Sequence, residues 1–273
     1  MSTSKIHASQ HQNVSEAFSR QSSSFDAIEI ENPIVIWMRI IIRAHLVSQL
    51  KKDSHILELN AGTGLDAVYL AQQGFTVHAT DNAPGMLNEL EKKITANNLQ
   101  QKISLQQCSF EQLSQLYPNK YNHIFSNFGG LNCAPDLAAV LAQFNELLPV
   151  GGRTTLVIMP PFCAWEFLFF VKGNFKLAFR RFKKKGAVSH LEGKYFLTYY
   201  YSPRYIQRAL RANFKTVKLQ GIGVFSPPPY MEKWAKKFPR MYRFLTKMDE
   251  LFGHLSLLRA CCDHYIITLE KIK

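Results

Sequence analysis

His55-Ile-Leu-Glu-Leu-Asn-Ala-Gly-Thr-Gly64 is an apolar run that stops on a small glycine-rich turn, and a second apolar run, Phe75 to Thr80, ends on Asp81. The two segments read as a strand, a turn that opens a helix, and a neighbouring strand tipped by a carboxylate. Glycines at 62 and 64 let backbone N–H groups come close to a ligand, and the carboxylate can accept both hydroxyls of a ribose. The pairing predicts a nucleotide-cofactor site, and with it an enzyme.

Two cofactors suit such a loop. Gly62-Thr-Gly64-Leu-Asp-Ala67 satisfies the dinucleotide fingerprint G-x-G-x-x-A, with an acid roughly 20 residues on. The wider stretch Glu58-Leu-Asn-Ala-Gly-Thr-Gly64 instead resembles motif I of the class I S-adenosylmethionine-dependent methyltransferases, (Asp/Glu)-x-Gly-x-Gly-x-Gly, and the acidic Glu58 on the strand is the distinguishing feature. Asp81-Asn-Ala-Pro-Gly-Met86 resembles the second motif of that family, Gln107-Cys-Ser-Phe-Glu-Gln-Leu113 stands where Gly-Asp-Ala-x-x-x-Leu is common, Asn127-Phe-Gly-Gly130 follows the fourth strand, and Leu147-Leu-Pro-Val-Gly-Gly-Arg153 is similar to the turn before strand five. The resemblance covers about residues 50 to 160. An NAD-dependent oxidoreductase is disfavoured, because nothing after strand four supplies a hydride-transfer site.

The resemblance implies an α/β, Rossmann-like, doubly wound seven-stranded sheet with an antiparallel last strand. It implies S-adenosyl-L-methionine as cofactor, held by Glu58, Asn60, Gly62, Gly64, Asp81, Met86, Ser109, Phe110 and Asn127. In that family the acid at the Asp81 position binds ribose, the Met packs against adenine, and Ser109 and Phe110 would sit beside the ring. Two positions depart from the pattern. Asn60 replaces the first glycine, and asparagine is the non-glycine residue best able to adopt the left-handed conformation. Ser109 replaces the usual acid and offers a neutral acceptor to the adenine amine.

Short apolar runs alternate with helical patterns, as in a parallel sheet covered on both faces. The patterns predict strands near 55–60, 75–80, 103–107, 121–126 and 154–159, and helices near 66–73, 84–97 and 135–149. Ser202-Pro203 opens a helix to about Ala212, a strand runs from Thr216 to about Val224, and Asp263 to Glu270 closes the sheet. Residues 51–273 then form the methyltransferase domain, with insertions at about 161–202 and 225–262, preceded by an N-terminal helical lid segment, 1–50, whose helix-like run is Ile34 to Leu50. The insertions leave the carboxyl ends of strands five and six, where ligands bind in sheets of this type. They are expected to form a helical, aromatic lid.

Charge is uneven. Residues 1–162 carry 11 Lys/Arg against 13 Asp/Glu, a net of −2, whereas residues 163–273 carry 22 against 7, a net of +15, within a chain of net charge +13. Phe167, Val171, Phe175, Ala178 and Phe182 recur at helical steps and are flanked by Arg180, Arg181, Lys183, Lys184 and Lys185. This pattern predicts one helix that faces either the core or a membrane interface. Trp234 and the basic run from Lys233 to Lys247 offer a second such face. Nucleic acid is the competing anion, but methyltransferases of exocyclic base nitrogens carry Asn/Asp-Pro-Pro-Tyr/Phe after strand four, where this chain has Asn127-Phe-Gly-Gly. Ser226-Pro-Pro-Pro-Tyr230 lies about a hundred residues too late and reads as a rigid turn.

An apolar content of 47% and a charged content of 19% over 273 residues suit a globular enzyme with one substantial core. Five cysteines without framework spacing and no charged-then-apolar leader point to the cytoplasm, peripheral to a membrane if the basic face docks there. Thr154 to Val171, the longest apolar stretch, is interrupted by Pro160-Pro161 and Glu166, so no transmembrane helix is expected. Cys261-Cys262 reads as core packing.

Methyl transfer from a sulfonium needs positioning, exclusion of water and in many cases a base, and no metal. Candidate bases are His190, Tyr199, Tyr200, Tyr201, Tyr205, His254 and His264, with His190, Tyr200 and Tyr205 carried forward and His264 read as structural on the closing strand. Phe128, Asn132 and the aromatic lid suit a small hydrophobic or aromatic acceptor, possible acceptor atoms being oxygen, nitrogen and carbon. The expected activity is methyl transfer to such an acceptor at a membrane surface. The alternatives are an RNA methyltransferase using the basic half and a non-catalytic cofactor-binding module.

Overall fold

The computed structural model describes residues 9–117, 121–171 and 173–273; residues 1–8 of the N-terminal segment lie outside the described residues. Among the described residues nine strands are formed: β1 (His55–Leu59), β2 (Thr76–Asp81), β3 (Ile103–Gln107), β4 (His123–Ser126), β5 (Arg153–Ile158), β6 (Ala187–Leu191), β7 (Lys194–Thr198), β8 (Phe214–Ile222) and β9 (His264–Lys271). Seven make one sheet in the order β3-β2-β1-β4-β5-β9-β8, and β6 and β7 make a separate hairpin. β1 to β5 are mutually parallel, and β9 runs antiparallel to both β5 and β8. This is the doubly wound sheet with a reversed last strand that the motifs imply. β4 is buried along its whole length, and β1 and β5 at all but their first residue, as central strands covered on two faces must be.

The helices are α1 (Gln10–Glu31), α2 (Pro33–Val47), α3 (Leu65–Gln72), α4 (Pro84–Ala96), α5 (Leu137–Ala142), α6 (Phe144–Leu147), α7 (Ala164–Leu168), α8 (Phe175–Ala178), α9 (Pro203–Leu210), α10 (Glu232–Lys237) and α11 (Pro239–Phe252). None of them is long and apolar enough to cross a membrane. The Asn32 side chain accepts from the Ile34 and Val35 amides and Pro33 supplies the first turn of α2, so the chain breaks between α1 and α2. Ile34, Met38, Ile42 and Leu46 then bury one face of α2 against the sheet.

Within the segment 1–50 the sequence shows a helix-like run only from Ile34, whereas α1 occupies Gln10–Glu31 before it. Its stretch is mostly polar, with a sparse apolar side of Val14, Phe18 and Phe25, and the helix is held by specific contacts. Buried Gln10 donates to the Leu197 carbonyl at 2.8 Å and accepts from the Leu197 amide at 2.8 Å, so its carboxamide pairs with β7 as another peptide unit would. Ser15 donates to the Asn82 carbonyl at the end of β2. α1 thereby lies between the hairpin and the carboxyl edge of the parallel strands.

The apolar stripe between Trp165 and Lys185 is not one helix. It divides into α7, α8 and a 3-10 turn at Arg180–Phe182, with Gly173 at φ +74° in the break. Glu166 explains the fold-back: its carboxylate receives Arg180 at 2.7 and 2.6 Å and Arg181 at 2.9 and 2.6 Å. In a straight helix residues this far apart would stand about 21 Å from each other along the axis, at about 1.5 Å per residue. Glu166, Arg181 and Asp263 are all buried, and Arg181 also bonds Asp263 at 2.6 Å, fastening the insertion to the start of β9.

A buried polar chain ties α2 to the sheet: His45 Nε2 meets the Thr268 hydroxyl at 2.9 Å, Thr268 meets Thr155 at 2.8 Å, and Thr155 meets His123 Nε2 at 2.9 Å. Burial, with the charge of Lys218, pushes His45 down to about 4, and burial, with Arg153 and His45, pushes His123 down to about 3. A histidine depressed in the fold stabilises it fully above the unfolded pKa, and that contribution is lost as pH falls towards the folded value. The stability of the wild type relative to His45→Gln is therefore expected to fall by on the order of 3 kcal/mol between about pH 7 and pH 4. Urea unfolding of the two proteins across that range measures it, and a difference independent of pH would show that the imidazole is not held neutral.

Candidate active site

The chain leaves β1 through a turn that needs three left-handed residues, Asn60 (φ 46°), Gly62 (φ 58°) and Gly64 (φ 79°). Asparagine holds the first of these, as its local bonding permits. The Asn60 carboxamide accepts from Ser126 Oγ at 2.6 Å and donates to the Asn127 carbonyl at 3.0 Å, joining the turn to the end of β4. At Gly130 a Cβ would stand 2.3 Å from the Asn60 side chain, so this bridge requires a glycine across from it.

Asp81 ends β2 facing the same turn. Its carboxylate accepts from the Gly62 amide at 2.9 Å and from the Ala83 amide at 2.8 Å, and lone pairs on both oxygens remain. Burial raises its pKa, and those backbone donors oppose the rise. No protein atom lies within 4 Å of where a Gly62 Cβ would be, so the space beside the loop belongs to the cavity.

That cavity has a volume of about 360 Å³. Of the residues carried by the resemblance, Glu58, Asn60, Gly62, Asp81, Met86, Phe110 and Asn127 line it. Gly64 and Ser109 do not: Gly64 precedes α3 with Leu90 packed against it, and the Ser109 hydroxyl accepts from the Glu111 amide to cap its own turn. Cys108 and Phe110, on either side of Ser109, reach the wall instead.

Glu58 is buried, and its Oε2 has no hydrogen-bond partner among the described residues. Burial drives its pKa well above the usual carboxylate range and neighbouring Asp66 adds to the rise, against the charges of Arg39 and Arg43. A buried carboxylate oxygen without a donor is costly, and a cationic or N–H-bearing ligand in the cavity would satisfy it. Asp66 itself pairs with Arg39, with Arg43 at 2.7 Å and with Asn127 Nδ2 at 2.7 Å. Arg39 also reaches Glu29 and lies over the Phe128 ring at 4.6 Å from its centroid.

The other half of the cavity is apolar. Phe18, Phe25, Val35, Phe128, Met159 and Pro229 form it, so α1, α2 and the second insertion close over the sheet edge. Phe128 holds φ 43°, a conformation that costs a bulky residue energy and points to a constrained site.

His264 also lines the cavity. Because β9 is antiparallel, its first residue lies at the edge where β1 to β5 end, pairing with Ile222 and following the Tyr265–Ile158 pair. His264 Nδ1 meets Asp263 Oδ2 at 2.8 Å, which leaves Nε2 as the ring nitrogen for the cavity. Burial would raise the Asp263 carboxyl, but His264 and Arg181 hold it well below the usual range. The dyad therefore stays charged on the Asp263 side.

The other candidate bases lie elsewhere. His190 is exposed on β6 against the Tyr195 ring, Tyr200 lies under the Arg181 guanidinium, Tyr205 packs at a tilt against Tyr201, and His254 is exposed beyond α11; none of these lines the cavity. Asn132 is fully buried and spends its carboxamide on Met159 and Tyr199. Arg39, Asp66 and the α1 residues went unread in the sequence. Asp66 stood inside the glycine-loop segment, whereas Arg39 and α1 carry no motif.

A family model described as a methyltransferase domain matches residues 56–152. An aklanonic acid methyltransferase from Streptomyces sp. (strain C5) is 28% identical over 160 residues, 57% of this chain and 69% of the relative. Among solved structures, the Burkholderia thailandensis 1,6-didemethyltoxoflavin-N1-methyltransferase, with bound 1,6-didemethyltoxoflavin and S-adenosylhomocysteine, superposes with a TM-score of 0.58 at 16% identity, covering 100% of this chain and 92% of that one. Geranyl diphosphate C-methyltransferase from Streptomyces coelicolor A3(2) gives 0.56 at 12% identity, covering 86% of this chain and 79% of that one. At these identities the structural likeness is one of fold.

The turn itself is testable without a ligand. A Cβ at Gly64 would come within 2.1 Å of Leu90 Cδ1 at a left-handed φ. Gly64→Val is expected to destabilise the protein by about 2–4 kcal/mol through overpacking and backbone strain. Urea unfolding reads the loss, and a stability within about 0.5 kcal/mol of wild type would show that the turn relaxes freely.

Proposed function

We propose that the chain is a class I S-adenosylmethionine-dependent methyltransferase and that it methylates a small hydrophobic or aromatic acceptor bound between the end of β4, the start of β9 and α1. The observation that carries this reading is that Glu58, whose buried Oε2 has no hydrogen-bond partner among the described residues, lines the same cavity as Asp81. Bound S-adenosylmethionine supplies a methyl group already activated by a sulfonium.

On this reading Asp81 accepts the ribose hydroxyls on the lone pairs left by Gly62 and Ala83. Met86, Cys108 and Phe110 flank the base, and Gly62 presents backbone where a side chain would obstruct it. Glu58 receives the ammonium of the amino-acid end, which restores its charged form. Asn60 and Asn127 hold the turn to β4 rather than binding through their side chains, and Ser109 acts as a cap.

The acceptor half has apolar walls that exclude water, with the Arg39 guanidinium over Phe128 available to a polar or anionic substituent. A small-molecule acceptor is supported by the curated relative, whose name gives aklanonic acid. His264 Nε2 is placed to take a proton from an acceptor hydroxyl or amine, while Asp263 holds the tautomer and stabilises the imidazolium.

Asp81→Ala is expected to weaken S-adenosylhomocysteine binding by about 1.5–3 kcal/mol, the range for hydrogen bonds to a charged group. Calorimetric titration measures it; unchanged affinity would remove Asp81 from the ribose role. With an acceptor drawn from a panel of phenolic and lipid-soluble metabolites, His264→Gln is expected to lower turnover about 10²- to 10⁴-fold while S-adenosylhomocysteine still binds normally. Cofactor binding without turnover on any member would instead favour a cofactor-binding module.

A further inference from the structure

The first insertion leaves the cavity at Met159 and, three residues later, begins a cluster of phenylalanines. Phe162, Phe167, Phe170, Phe175, Phe179 and Phe182 touch one another in a chain of ring contacts, with centroids 5.2 to 6.2 Å apart. All but Phe162 are nevertheless largely exposed, as are Leu168 and Val171, the last at 82%. Five rings about half exposed present on the order of 500 Å² of apolar surface, at the upper end of what a monomer leaves to water without a use for it.

The charges around this cluster have one sign. Between Phe167 and Leu191 the sequence has seven Lys or Arg residues and no Asp or Glu. Arg180 and Arg181 turn inward to Glu166 and Asp263, whereas Lys176, Lys183, Lys184 and Lys185 are exposed and form no ion pair among the described residues. The second insertion meets the first through Trp165 against Trp234 and Phe169 against Tyr230, and α10–α11 repeat the pattern with exposed Phe238, Met241 and Phe244 among Lys236, Lys237 and Arg240.

We propose that this phenylalanine cluster, with its lysine rim, is the face by which the protein docks on an anionic lipid bilayer. Aromatic rings enter the boundary between headgroups and acyl chains, and lysines on the same rim meet anionic headgroups. The internal Glu166–Arg181–Asp263 network keeps the loop shaped before it meets the membrane, so little ordering remains for binding to supply. The docking is independent of methyl transfer, although it would bring the apolar half of the cavity, three residues from the first ring, close to a lipid-dissolved acceptor.

The test is co-sedimentation of the full chain with phosphatidylcholine vesicles containing about a third phosphatidylglycerol, beside pure phosphatidylcholine vesicles. Binding is expected to the anionic vesicles and to weaken as salt rises. The double variant Val171→Asp, Phe175→Asp should lose at least about tenfold in partitioning, and Lys183, Lys184 and Lys185 replaced together by Gln should lose more than about tenfold, at roughly fivefold per lysine near the surface. Retained S-adenosylhomocysteine binding by both variants shows that they are folded. The proposal is overturned if the wild type ignores anionic vesicles, if both variants bind as well as it does, or if the wild type binds RNA in their place. It is equally overturned if sedimentation shows a wild-type dimer that the aspartates dissociate and that does not bind lipid.

Discussion

The bridge from Asn60 to the end of β4 is the contact on which the site depends. β2 and β4 lie on opposite sides of β1, so the chain runs off in two directions and leaves a crevice where the strands end. Asn60 spans it with two hydrogen bonds, to Ser126 Oγ and to the Asn127 carbonyl, while its own backbone turns left-handed. A glycine in its place would make the turn but not the bridge. The absence of a side chain at Gly130 and the strained Phe128 both follow from bringing the β4 loop this close.

A second chain of contacts couples the first insertion to the cavity wall at His264. From Arg180 it runs through Glu166, Arg181 and Asp263, alternating in charge, and ends on the His264 ring. Buried pairs of this kind gain little over apolar packing, because desolvation offsets most of their attraction. What they impose is geometry. The carboxylate that orients His264 is the one that anchors the insertion, so the position of the imidazole and the shape of the insertion are set together.

The sheet was legible because its signals are local: an apolar run, a turn that needs left-handed residues, a carboxylate at a strand tip. Those signals placed Glu58, Gly62, Asp81 and Met86 around one cavity. What escaped them depends on distant partners. α1 is docked by Gln10 pairing with Leu197, 187 residues away. The stripe from Trp165 to Lys185 has helical spacing, yet Glu166 folds it back on itself. His264 read as a structural residue of a closing strand, but the reversal of β9 delivers its first residue to the ligand edge. Ser109 matched a motif position, while its backbone needed the hydroxyl as a cap.

The division of labour between arginine and lysine follows the same logic. Arg39, Arg43, Arg153, Arg180 and Arg181 each meet a carboxylate inside or at the margin of the fold, where a planar fork can satisfy two acceptors with little water lost. Lys176 and Lys183 to Lys185, by contrast, keep their strongly hydrated ammonium groups outside, beside the phenylalanines. The positive excess of the second half of the chain is thus not spread over its arginine-built interior. Its larger part falls within the insertions, which also carry the exposed phenylalanines.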